Sequence, residues 1–172
     1  MSTGDVSVAV CPSVALPAML ARTAPREILV PESNAGRLCE IAEEAGASLS
    51  PLPDLQYHAE TGETRLKNQY SVAALDGFGH FTKAEISALG ALIGYIALTQ
   101  TGSNALLRPP SRERPGGIVE IDPATRRNLE LTESLSGGRD GSLLAILDQC
   151  KTSAGARMLT ARLTAPLTDL AA

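Results

Sequence analysis

The chain has no tryptophan and only five aromatic residues, two Phe and three Tyr, among 172. Surfaces that hold single-stranded nucleic acid stack successive bases on aromatic rings, so composition argues against that class of binding. Cysteine is scarce and odd in number: Cys11, Cys39 and Cys150, with no Cys-x-x-Cys spacing. Neither a disulfide framework nor a zinc site follows from such a set. The expectation is three reduced, mostly buried thiols in a cytosolic protein. His58 and His80 have no partner at metal-ligand spacing and read as surface or turn residues. Met1 to Asp5 lacks the basic start and apolar run of a signal peptide.

A long hydrophobic run is also missing. Residues 86–107 carry no charge, but only Ile86 to Leu98 is densely apolar. That falls well short of the roughly 20 residues needed to span a bilayer. Leu89, Leu92, Ile93 and Ile96 recur at helical spacing, which is the pattern of a buried helix face rather than a membrane span. Gly90 and Gly94 are expected to let this helix lie close against a sheet.

Strong charge of either sign is absent overall, with a formal net charge of −4. Its distribution is uneven. Residues 1–107 hold six Lys/Arg against eleven Asp/Glu, whereas residues 108–172 hold nine against eight. An acidic first part is a poor surface for phosphates, which are gripped by Lys and Arg.

Nucleotide chemistry leaves no mark either. A phosphate-cradling loop of the form Gly-x4-Gly-Lys-[Ser/Thr] needs a Gly-Lys pair, and no glycine here precedes a lysine. Ser136 to Gly141 (SGGRDG) is glycine-rich, but it lacks the lysine and joins two helical stretches, so it reads as an interhelical turn.

What is present is a regular alternation of elements. Residues 5–10 read as a strand, Leu16 to Ala24 as a short helix and Glu27 to Val30 as a strand. Gly36 to Ala45 reads as a helix closed by Gly46. A short apolar stretch over Leu49 to Leu52 is bounded by prolines. Glu60 to Tyr70 reads as a polar helix supported by Glu63 and Lys67 four residues apart. Leu75 to Gly79 is a turn, and Thr82 with Glu85 forms a capping box for a helix starting near Lys83. Strands alternating with helices predict an α/β fold, a sheet with flanking helices. Gly102 to Gly117 holds three prolines and three glycines and marks a domain boundary. Its Arg108, Arg112 and Arg114, interrupted by Glu113, read as linker charges that keep the segment soluble. Beyond it, Ile118 to Ile121 reads as a short strand. Asp122 caps a helix whose first position is Pro123.

These last residues carry the most information. The run Asp122 to Leu131 (DPATRRNLEL), following the short strand IVEI, resembles the opening of the helical core domain in the MutS family of DNA mismatch-repair ATPases. Gly141 to Asp148 (GSLLAILD), Thr152 to Leu159 (TSAGARML) and the turn Leu163 to Asp169 (LTAPLTD) resemble the segments that follow it. Ala24 to Glu32 (APREILVPE), Leu75 to Gly79 (LDGFG), Ala88 to Thr101 and Leu107 to Pro110 (LRPP) resemble the family's connector domain. The resemblance covers essentially the whole chain in the expected order.

It implies residues 1–117 as connector domain (domain II) lacking its first strand, with a ribonuclease-H-like fold. It implies residues 118–172 as the opening helices of an all-α core domain (domain III). Family members read mismatches with a Phe-x-Glu wedge in a separate domain, and neither Phe78 nor Phe81 is followed two places later by Glu. The implied role is to link the mismatch-binding and ATPase parts and to offer a docking surface for MutL. ATP, magnesium and mismatched double-stranded DNA would be bound by the parent protein through parts outside this chain, together with its dimer partner. The alternative is a stand-alone adaptor that binds MutL without DNA or ATP.

A ribonuclease-H-like nuclease is the weaker alternative. It needs carboxylates converging on a metal, at least one on a central strand. Of the strands Val6 to Val10 and Glu27 to Val30 only Glu27 is acidic, and it sits at a strand's start, while Asp76, Glu85 and Asp122 fall on turns or helix openings. No catalytic, cofactor-binding or metal site residue is assigned. The expected setting is the bacterial cytoplasm, beside the nucleoid, with no membrane contact. Both ends read as cut, since the segment from Ser2 to Val10 resembles the second arm of a hairpin and Leu167 to Ala172 stops where long core helices would begin. The missing first strand is expected to expose an edge beside Val6, Val8 and Val10. The missing core helices are expected to expose Leu143, Leu144, Ile146, Leu147, Met158 and Leu159.

Overall fold

The computed structural model describes residues 4–99, 106–113 and 116–169. The chain forms two compact units that are not consecutive in sequence. One comprises Met1–Ala9 and Arg26–Glu113; the other comprises Val10–Pro25 and Arg114–Ala172.

The first unit mixes helices with two small parallel sheets. Its β1 (Ser7–Val8) pairs with β4 (Ser111–Arg112), and its β2 (Glu27–Pro31) pairs with β3 (Ser48–Leu52). The β2–β3 register runs from Glu27 opposite Ser48 to Pro31 opposite Leu52. Parallel neighbours cannot be joined by a tight turn, and α2 (Ala35–Glu44) supplies the crossover between them. It buries Ala42 against this layer, where Val30 is also buried. The apolar stretch at Leu49 to Leu52 is thus a strand, and Pro51 within it has no N–H to offer a further neighbour.

Residues 5–10 were expected as one strand, and only Ser7 and Val8 form it. The partner strand explains where it begins. Pro109 and Pro110 stand just before Ser111, the residue opposite Ser7, and have no N–H to give, so the ladder does not extend back from Ser7. Around it, Arg108 N–H donates to Gly4 O, Ser111 N–H to Val6 O and Glu113 N–H to Val8 O, at 2.8, 3.0 and 2.9 Å. Side chains of Val6 and Val8 are buried, whereas Val10 is 77% exposed. The boundary segment Gly102 to Gly117 therefore contains a short strand; its residues 102–105 and 114–115 lie outside the described residues.

The core of this unit is built on α3 (Ala59–Tyr70) and α4 (Lys83–Thr99). Leu66, Leu75, Leu89 and Ile93 pack with Val6 and Val8, flanked by Tyr70, Phe78, Phe81 and Ile86. Fully burying a leucine such as Leu66 stabilises by about 1.5–3 kcal/mol. The Tyr70 and Phe78 rings meet edge-on with centroids 5.2 Å apart. The Gly-x3-Gly pair of α4 faces α3, not a sheet. A Cβ on Gly90 would stand 2.2 Å from Gly62 Cα, and a Cβ on Gly62 would stand 2.5 Å from Ile86 O. Gly94 makes room for Arg65, whose guanidinium donates to Gly90 O and to both the carbonyl and side-chain oxygens of Gln56. The spacing was legible as close packing, but the partner is another helix because both crossing positions lack a side chain.

The second unit contains α1 (Leu16–Thr23), α5 (Pro123–Asn128), α6 (Leu143–Leu147) and α7 (Ser153–Thr164). Asp122, Ser142 and Thr152 each accept a backbone N–H at the openings of α5, α6 and α7, the three caps that the polar residues at these positions specify. Between α5 and α6, Gly137 and Gly138 take positive φ, with Gly137 N–H on Ser134 O and Ser134 N–H on Gly138 O, so SGGRDG is a turn. Ile118 to Ile121 does not form a strand. Ile118 makes one isolated antiparallel bridge to Leu167, and Val119 N–H reaches Pro166 O at 2.8 Å. Pro166 has no N–H to return, which keeps the pairing from growing. No helix among the described residues is long and apolar enough to cross a membrane.

Candidate functional site

The acidic residues that a nuclease reading singled out are each engaged separately. Glu27 accepts from Ser50 Oγ and Tyr95 Oη, both at 2.5 Å, and these bonds hold its carboxyl below the usual range, Ser50 contributing most. Asp76 opens a single 3-10 turn, Asp76–Phe78. Asp122 binds the Thr125 hydroxyl at 2.5 Å and its N–H at 2.9 Å. No group of three or more His, Cys, Asp or Glu residues among those described has the geometry to hold a metal ion.

Glu85 is the most constrained of the four. Its residue is 6% exposed, and Oε2 accepts from Thr82 N–H at 2.7 Å and from Arg112 Nη2 at 2.6 Å. Thr82 Oγ1 in turn accepts from Glu85 N–H at 3.3 Å, which completes the capping box read from the sequence. Arg112 also donates to His80 O and lies over the Phe81 ring, 5.7 Å from its centroid. The Thr82 backbone bond comes first among the causes that lower the Glu85 pKa. Arg112 was read as a solvated linker charge. It instead ties β4 to the start of α4, and no local sequence signal paired it with a carboxylate 27 positions away.

Beside this cluster lies a shallow cleft of about 210 Å³, lined among others by Glu63, Lys67, Asp76, His80, Phe81 and Ile86. Lys67 is bonded to Glu63 at 2.6 Å, as their spacing on α3 predicts. Charged and apolar side chains line it together. His58 and His80 are both exposed.

The three thiols are free, but the expectation that they are mostly buried is wrong. Cys39 and Cys150 are exposed and Cys11 is half-buried. Cys39 lies on the outer face of α2 beside Glu43, whose charge raises its pKa, and Cys150 is raised chiefly by its bond to Asp148. The burial habit of cysteine did not hold because both stand on faces with no covering layer.

The second unit leaves much apolar surface uncovered. Leu129, Ile146, Leu147 and Met158 are 54, 69, 48 and 62% exposed, and Leu143 is 37% exposed, while Leu144 is buried. Leu159 is half-buried. The α6 and α7 side chains expected to be exposed are thus exposed, apart from Leu144 and in part Leu159.

Comparison with known proteins places these features. Residues 1–108 match the family model for MutS domain II, and residues 124–172 match that for MutS domain III. The chain is 51% identical over 170 residues to the DNA mismatch repair protein MutS of Paracoccus denitrificans, and 50% identical over 170 residues to that of Cereibacter sphaeroides. It is 44% identical over 171 residues to that of Ruegeria pomeroyi. Each alignment covers 99% of this chain but only 19 or 20% of the relative, so the chain spans about a fifth of the length of the curated relatives it matches. With two consecutive family models matched in order, the chain belongs to the MutS family of DNA mismatch repair proteins.

Proposed function

We propose that this chain serves mismatch repair as the connector and the opening of the core of a MutS protein, linking a mismatch-binding part to an ATPase part and docking MutL. The observation that carries this reading is the succession of domain II and domain III along one chain at about half identity. Residues 1–117 are assigned to the connector, with a ribonuclease-H-like arrangement, and residues 118–172 to the start of the core. ATP, magnesium and mismatched duplex are assigned to the longer parent protein, which works in the cytoplasm beside the nucleoid and pairs with a second MutS subunit. The absence of a Gly-Lys pair and of Phe-x-Glu in the chain supports that division of labour. Exposed Ile146, Leu147 and Met158 favour a part of a larger assembly over a free-standing adaptor.

The test is interferometry of the 172-residue chain on immobilised MutL from a bacterium carrying one of these relatives, with a full-length relative as positive control. Saturable binding without DNA or nucleotide is expected, with no binding to a G·T heteroduplex. Binding by the control and none by the chain removes the docking assignment. Retention of a mismatched duplex by the chain alone would contradict the division of labour.

A further inference from the structure

The chain crosses between the two units three times, and two of these crossings, Ala9 to Val10 and Glu113 to Arg114, come just after β1 and β4. The two strands run parallel with Val8 opposite Arg112, so both crossings leave the first unit side by side. They are held differently. Val6 and Val8 anchor β1 by packing in the core, whereas both residues of β4 are exposed. A strand that buries no side chain gains nothing from the hydrophobic effect, and its place depends on polar contacts.

The segment that leads into β4 is fixed. Pro110 is buried, Tyr70 Oη donates to Arg108 O at 2.9 Å, and Arg108 pairs with Asp5 at 3.0 Å. Beyond Pro110, Ser111 N–H and Glu113 N–H donate to Val6 O and Val8 O, and Arg112 supplies a side-chain anchor. Its Nη2 donates to Glu85 Oε2 at 2.6 Å and to His80 O at 2.7 Å, with the guanidinium over the Phe81 ring. Glu85 is a rigid receiver, because the capping box with Thr82 sets it independently of Arg112. When Arg112 leaves, the carboxylate still accepts the Thr82 N–H at 2.7 Å. The α4 helix opening therefore does not need β4 in place.

We propose that residues 111–113 are a strap that pivots at Pro110, and that the grip of Arg112 on Glu85 and His80 is the latch that holds it closed. Opening frees three residues ahead of the Glu113 to Arg114 crossing, and at roughly 3.3 Å each they add about 10 Å to the reach of that connection. The neighbouring crossing keeps its length, because Val6 and Val8 stay in the core. His80 and Phe81 also line the cleft of this unit, so a contact made there reaches the residues that Arg112 grips. The inference concerns the first unit alone and rests on no part of the MutL reading.

The test is native-state hydrogen exchange of the 172-residue chain, followed amide by amide by NMR in rising urea. Ser111 and Glu113 amides are expected to be protected yet to exchange at rates nearly independent of urea, as a small local opening does. Leu89 and Ile93 amides on α4 should exchange more slowly and accelerate steeply with urea. Arg112→Met is expected to speed Ser111 and Glu113 exchange roughly tenfold, the order that one charge-assisted hydrogen bond supplies. Arg112→Lys should speed it less, since the ammonium keeps the charge but not the planar donors. It carries the comparison if the Met variant does not fold. The proposal is overturned if Ser111 and Glu113 share the urea dependence of α4, because the strap would then open only with the whole unit. Unprotected Ser111 and Glu113 in the parent, or rates unchanged by both substitutions, overturn it as well, since no latch would be holding them.

Discussion

Replacing Gly90 by alanine is the sharpest probe of the first unit, because two opposed effects are read at one position. Alanine in a helix interior is favoured over glycine by roughly 0.8–1 kcal/mol. Against that, the new Cβ would lie 2.2 Å from Gly62 Cα and 3.1 Å from Gly62 C, while ordinary contact begins near 3.4 Å. The obstacle is backbone, so α3 and α4 must separate by more than an ångström at their crossing, which loosens Leu66 and Leu89 beside it. Overpacking a close-fitted interior costs about 1–3 kcal/mol and at times more, so the steric effect wins. Gly36→Ala on α2 is the control, since nothing lies within 4 Å of the added Cβ and only the propensity gain remains. Gly90→Ala should therefore unfold about 1–2 kcal/mol less stably than the parent, and Gly36→Ala at least as stably. With roughly 4–8 °C per kcal/mol for a unit of this size, the two variants should differ by about 10 °C in Tm, followed by circular dichroism at 222 nm. Equal stability of Gly90→Ala and Gly36→Ala would refute the close helix crossing.

Four further outcomes are expected. Thr152→Ala, which removes the Oγ1 acceptor of Gly155 N–H, should cost about 0.5–2 kcal/mol of second-unit stability in urea unfolding; no loss would mean that the cap is not formed. Glu85 has a folded pKa below its unfolded value, so its contribution is fully present above the unfolded pKa, near 4.5, and is lost as pH falls through the folded one. Glu85→Gln should therefore be less stable than the parent at pH 7 and converge on it in acid, and a constant gap between pH 7 and 3 would sink that assignment. Cys39 and Cys150 should react with Ellman's reagent in the native protein, more slowly than a free thiol at pH 8 because neighbouring carboxylates raise both. Two equivalents that appear only on denaturation would restore the buried reading. The exposed apolar face of α6 and α7 should drive concentration-dependent association in sedimentation velocity, reduced in the Ile146→Ser, Met158→Ser double variant, with faster amide exchange over 118–169 than over α3 and α4. A monomer with one sharp transition and uniform protection contradicts this.

Local chemistry was legible because its causes lie within four residues. Asp122 caps its helix in the sequence and in the structure, Thr82 and Glu85 close their box, and Glu63 meets Lys67 one turn on. The family was legible too, since DPATRRNLEL and the connector phrases are long enough to recognise without a fold. What the sequence could not settle depends on distant partners. Where the strand within residues 5–10 begins is set by Pro109 and Pro110 a hundred positions away, and whether Ile118 to Ile121 extends is decided by Pro166. Gly90 declares a close approach, but only the fold names Gly62 as its counterpart. Arg112 looks like a linker charge until the chain returns it to Glu85, and Cys39 looks like a core thiol until no layer covers it. Caps, turns and helix-face periodicity are set by short-range hydrogen bonds and sterics that the sequence specifies directly. Burial, strand pairing and the meeting of Arg112 with Glu85 depend on which surfaces meet, and that is fixed only when the whole tertiary arrangement excludes water from some faces and leaves others open.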